Sequence, residues 1–67
     1  MERQIENATR LLLTVREVSK VLRIRRQKVY LLIEAGRLEA SKIGADWRVR
    51  RESVEDLVGP IPDGYFH

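Results

Sequence analysis

The apolar residues of this chain keep a helical spacing twice, switch to alternation, and then return to the helical spacing. After the run Leu11-Leu12-Leu13, Val15, Val18, Val21 and Leu22 share one helix face, leaving Arg16, Ser19 and Lys20 outside it. Thr14 and Glu17 have the T-x-x-E spacing of a capping box, and Leu13 with Val18 the spacing of a hydrophobic staple. A helix over 15–22 is predicted. Ile24 stands alone between Arg23 and Arg25 and is expected to plug the core while the chain turns. Val29, Leu32 and Ile33 form a second face, and Gly36 follows as a left-handed stop, predicting a helix over 26–35. Ser41–Ile43 and Trp47–Val49 then flank the turn residues Gly44-Ala45-Asp46, a hairpin over 41–49. Val54, Leu57 and Val58 at i, i+3, i+4 predict a helix over 52–58, poorly capped by Arg51 and ended by Gly59-Pro60. The tail IPDGYFH is not expected to be helical; its Tyr65 and Phe66 either pack back on the domain or leave it sticky.

A short helix, a tight connection and a second helix must cross steeply, as in a helix-turn-helix. The hairpin that follows makes it a winged helix-turn-helix, mainly α with a small β-hairpin. At 67 residues there is room for one domain. Residues 1–12 are expected to form a flexible N-terminal arm, 13–59 the folded domain and 60–67 a tail. A chain this short buries only ~60% of its unfolded surface, so its stability rests on a compact core or on a partner that binds the folded state. It has no Cys to form a disulfide, and its one His is the terminal His67, expected to be disordered and no ligand. No metal site and no cofactor is expected. Neither Cys/His nor Ser/His/Asp chemistry is available, and Glu52, Glu55 and Asp56 are explained by the helix dipole, so the chain does not read as an enzyme. No apolar run approaches the ~20 residues of a membrane span, and no secretory signal is evident. The expected setting is cytoplasmic, on the nucleoid, with no membrane contact.

Charge sharpens this picture. The net charge is +3, but residues 14–51 carry eleven cations against four acids, +7, while residues 52–67 sum to −4. Arg25, Arg26, Gln27 and Lys28 open the second helix, the end that meets base edges in a helix-turn-helix. Arg pairs with guanine and Gln with adenine in bidentate fashion, and a helix N-terminus favours phosphate. Lys42, Arg48 and Arg50 place cations at the ends of the hairpin, where they can hold backbone phosphates. Tyr30, on the helix flank, can pack its ring and reach a phosphate with its hydroxyl. Trp47 reads as a core residue before a stacking platform. Leu31 lies on the exposed side of the helix and has three readings: contact with a thymine methyl, contact with a second copy, or an exposed Leu without a role.

The chain from Leu12 to Val58 resembles the excisionase-type small winged helix-turn-helix, related to the DNA-binding head of MerR-type regulators. The marks are LTVREVSKVL, KVYLLIEAGRL, KIGADWRVRRE and the closing EDLV, in that order. The resemblance implies a DNA binder, acting as a recombination directionality factor, a small repressor or the targeting domain of a mobile element. It implies that the second helix enters the major groove through Arg25, Arg26, Gln27, Lys28 and Tyr30. It implies that the wing, with Lys42, Trp47 and Arg48, grips backbone or minor groove. Three positions depart from the family's pattern: Arg23 stands where Gly is frequent in the turn, Arg25 where a Ser or Thr cap is common, and Leu31 where a polar residue usually faces DNA. The expected partner is double-stranded DNA, joined by an integrase or transposase and by further copies of the chain on adjacent sites. The alternative is a protein-interaction module that docks on a recombinase through Leu11, Leu12, Leu31 and the GYFH tail.

Overall fold

A computed structural model describes residues 11–66. Residues 1–10 of the expected arm and His67 lie outside the described residues. Strand β1 (Leu12–Thr14) leads into helices α1 (Val15–Leu22) and α2 (Arg26–Glu34). Strands β2 (Ala40–Ile43) and β3 (Asp46–Arg50) follow, then α3 (Arg51–Val58) and a 3-10 turn at Asp63–Phe66. Three helices with a small antiparallel sheet make the winged helix-turn-helix architecture read from the sequence.

Helix α1 begins where local chemistry dictates. The Glu17 N–H donates to Thr14 Oγ1 at 3.0 Å, and the Thr14 N–H donates to Glu17 Oε1 at 2.9 Å, a complete capping box. Helix α2 ends at Glu34, one residue before the expected boundary, with Ala35 as cap and Gly36 at φ +76°. The Arg37 N–H donates to Leu32 O (2.9 Å) and the Gly36 N–H to Ile33 O (3.1 Å), the paired bonds of a Schellman motif.

The sheet has order β1-β3-β2, both pairings antiparallel, with β3 in the centre. Strand β1 was not expected. Three residues are too few to show alternation, and its partners lie on β3, where Leu13 opposes Val49. The hairpin is also tighter than the GAD reading. Gly44 at φ +65° and Ala45 at negative φ have the φ signs of a type II′ turn, and Asp46 pairs with Ile43. Across the sheet, Leu13, Val49 and Ala40 stand in register, and Leu13 and Val49 are fully buried.

Val18, Val29 and Val54, one from each helix, meet that face and are also fully buried. Leu38 and Ile61 complete the core, while Ile24 and Trp47 pack partly buried against it. No polar side chain is buried among the described residues. The sequence spacing put Val54, Leu57 and Val58 on one buried face; Leu57 is instead 40% and Val58 51% exposed. Their place is taken by Ile61, which the chain reaches by turning back after Gly59. The tail then makes the unexpected 3-10 turn, in which the Tyr65 N–H donates to Pro62 O at 3.0 Å. One such turn needs only i→i+3 bonds, and Pro62 supplies a carbonyl without needing its missing N–H. The Tyr65 hydroxyl donates to Lys20 O on α1 at 3.1 Å, so the tail does pack back on the domain.

Candidate nucleic-acid interface

The turn between α1 and α2 sets the position of everything basic on α2. Arg23 caps α1 in the left-handed conformation, φ 58° and ψ 45°. Its N–H and that of Ile24 both point to Ser19 O, the latter at 3.1 Å. The Ser19 hydroxyl in turn donates to Ile24 O at 2.6 Å. Ser19 therefore staples the turn from both sides. In the sequence it counted only as a residue outside the apolar stripe, because its role depends on the partner carbonyl five residues on.

Arg25 is the N-cap of α2, in extended conformation and without a side-chain cap bond. The first N–H groups of α2 therefore have no side chain covering them, which leaves that end open to an anion. Arg25, Arg26, Gln27 and Lys28 are all exposed, as is Arg23 just before them. None of the five takes part in an ion pair or side-chain hydrogen bond among the described residues. Val29, fully buried, and the half-buried Leu32 and Ile33 anchor the helix from its other side. Tyr30 (41% exposed) and Leu31 (55% exposed) lie on the outer surface. Ile24, Arg25, Gln27, Lys28 and Leu31 border a shallow depression of about 420 Å³.

The wing cations are divided by the pleat of the sheet. Side chains alternate along β3, so Trp47 and Val49 face one way and Asp46, Arg48 and Arg50 the other. Lys42 opposes Trp47 and shares its face, with Nζ 5.9 Å from the ring centroid, a cation–π geometry. Arg48 lies on the face away from Val49; its guanidinium donates to Trp47 O at 3.2 Å and reaches Asp46 at 4.0 Å. Arg50, on the same face, is held between Glu39 and Glu52, each at 3.3 Å. The structure thus gathers Arg25 to Lys28 at one helix end, sets Tyr30 on the same helix, and places Lys42 and the Arg48–Arg50 pair on opposite sides of the wing. Of the two acids beside Arg50, Glu52 lies only two residues on, but Glu39 was not visible as a partner in the sequence, since it comes from the segment before β2.

A second depression, of about 520 Å³, lies between Leu11, Leu12 and the start of α3, with Arg50, Arg51, Glu52 and Glu55 on its wall. Among the described residues no group of acids and histidines could hold a metal ion. No described helix is long and apolar enough to cross a membrane.

Comparison with known proteins agrees with this geometry. The family model described as "Helix-turn-helix domain" matches residues 12–58, from the first residue of β1 to the last of α3. A "Probable excisionase" of Saccharopolyspora erythraea is 40% identical over 52 residues, which cover 78% of this chain and 53% of that protein. A "Putative DNA-binding protein" of Mycobacterium tuberculosis, matched in two strains, is 38% identical over 47 residues, 70% of this chain and 60% of the relative. The chain spans between about half and three fifths of the length of these curated relatives. No solved structure matches it.

Proposed function

The chain belongs to the helix-turn-helix domain family, and on that premise we propose that it binds double-stranded DNA in a sequence-specific manner. The observation that carries this reading is the cluster of unpaired cations with Gln27 at the open N-terminal end of α2. Arg26, Gln27 and Lys28 read base edges in the major groove, and Arg25 and the Tyr30 hydroxyl hold phosphates. Lys42, Arg48 and Arg50 secure the wing on the backbone. No catalytic step is assigned to the chain. Its role is that of an excisionase-like recombination directionality factor or a small transcriptional regulator, acting in the cytoplasm on the nucleoid. A reading helix this short covers only part of a site, so further copies bind adjacent repeats, beside an integrase or transposase.

The test is fluorescence anisotropy on duplexes selected from a randomised pool, with random duplex as the reference. Arg26→Ala is expected to cost about 1–3 kcal/mol on the selected site and to relax specificity at one position. Equal loss on selected and random DNA removes Arg26 from base reading. No binding to any duplex at micromolar protein and low salt overturns the proposal as a whole.

Leu11, 76% exposed, and Leu12, 39% exposed, favour a second reading, docking on a recombinase through the depression beside α3. Leu11→Ser with Leu12→Ser would then abolish recombinase capture and leave duplex affinity unchanged; unchanged capture rules it out.

A further inference from the structure

Leu31 is an exposed leucine whose helix-surface neighbours at i−4, i−3 and i+3, Gln27, Lys28 and Glu34, are exposed and polar or charged. It is not at the margin of the surface proposed to meet DNA but within it. Gln27 and Lys28 lie four and three residues before Leu31, so the three occupy about one helical turn, ~6 Å of axis. They face the same two or so base-pair steps, each ~3.4 Å long. Ile24, half-buried, closes the other end of the depression that these residues share with Arg25. The result is an apolar floor inside a ring of three polar side chains, Arg25, Gln27 and Lys28, of which the two cations are unpaired among the described residues.

The ring decides what kind of occupant suits the floor. An apolar protein surface seated on Leu31 and Ile24 would cover Arg25 and Lys28 without supplying counter-charges, which is costly. A duplex supplies phosphates to those cations. It also brings into the depression the one apolar group on the major-groove edges of the bases, the thymine 5-methyl.

Resting on the DNA-binding reading above, we infer that Leu31, with Ile24 beside it, reads the 5-methyl group of a thymine within the base-pair steps that Gln27 and Lys28 address. Cytosine at that position presents no methyl to the floor. Leu31 is then a specificity residue, and the apolar departure at the centre of the helix is part of the code.

The experiment starts from the duplex selected by the full chain and replaces each thymine singly by uracil, which deletes only the methyl. At one or two positions the wild type should bind the uracil duplex about three- to fourfold more weakly, the effect of burying one methyl group. Leu31→Ala should bind the thymine and uracil duplexes equally, while Leu31→Met should keep the preference. Leu31 is exposed and Ala is a good helix former, so the variant is expected to fold, as circular dichroism would verify. Three results overturn the inference while leaving DNA binding intact. These are no thymine sensitive to the change, a penalty that persists in Leu31→Ala, or an Ala variant that loses only cooperativity on adjacent sites. In the last case Leu31 contacts a second copy. A chain that selects and binds no duplex removes the inference together with the reading beneath it.

Discussion

Arg23 is the one non-glycine residue at positive φ among the described residues. A left-handed conformation costs an L-residue roughly 1–2 kcal/mol. The sequence shows a departure from glycine at this place and so suggests a turn without its usual chemistry. The turn is nevertheless made, because Ser19 holds the backbone of Arg23 and Ile24 through its carbonyl and Ile24 again through its hydroxyl. The strain is accepted, and one more cation stands beside α2. Arg23→Gly should relieve that strain less the flexibility that glycine adds, a net gain of about 0.5–1 kcal/mol. Urea denaturation should show a higher midpoint at unchanged slope, while affinity for duplex falls at low salt. A midpoint that does not rise would mean that the strain at Arg23 is no larger than the flexibility glycine adds.

At the scale of elements, what could be read in the sequence was what is encoded locally. Both ends of α1 and the start of α2 came out as expected, because caps and apolar spacing lie within a few residues of each other. Strand β1 did not, because its three residues acquire meaning only opposite Arg48, Val49 and Arg50. The α3 face was misjudged for a related reason. Its periodicity nominates Leu57 and Val58, but a residue beyond the Gly59-Pro60 break returns to fill the core. A clasp fixes that return: Glu55 Oε2 accepts from Arg51 Nε at 3.1 Å and from the Ile61 N–H at 2.9 Å. Arg51 Nη2 also donates to Ile61 O. The two readings rank substitutions in opposite order. Ile61, 6% exposed, should cost about 2–5 kcal/mol as Ala. Leu57→Ala, at a 40% exposed site, should stay near or below about 1 kcal/mol. Chemical denaturation of the pair decides between them. A Leu57 variant weaker than the Ile61 variant would mean that α3 buries the face its spacing suggests.

For the whole molecule, the legible part of the proposed interface is the part that is consecutive. Arg25 to Lys28 follow one another on one helix end, so sequence order and spatial order coincide. The wing is different. That it carries cations is plain from the sequence, but which face each takes depends on the register of β2 with β3. How free each one is depends on the acids the fold sets beside it, from the same strand, the next helix or the segment before β2. Arg50 already has two carboxylates at 3.3 Å, whereas Arg48 has one at 4.0 Å. Such exposed pairs are weak, yet a cation that must leave them gains less from a phosphate. In titrations of duplex binding against salt, Arg48→Ala should therefore flatten the logarithmic slope by about one. Arg50→Ala should flatten it by less. Equal changes would show that Glu39 and Glu52 release Arg50 at no cost on DNA.

The pairing of Leu13 with Val49 has a consequence in time. The two residues are 36 positions apart in the chain, and Ile61, which seals the same core, comes later still. During synthesis α1 and α2 leave the ribosome before the residues that complete their apolar side have emerged from it. Neither helix has a lasting partner until then. The surface of α2 therefore becomes usable in one late step, so a nascent chain does not hold a half-built grip on its target.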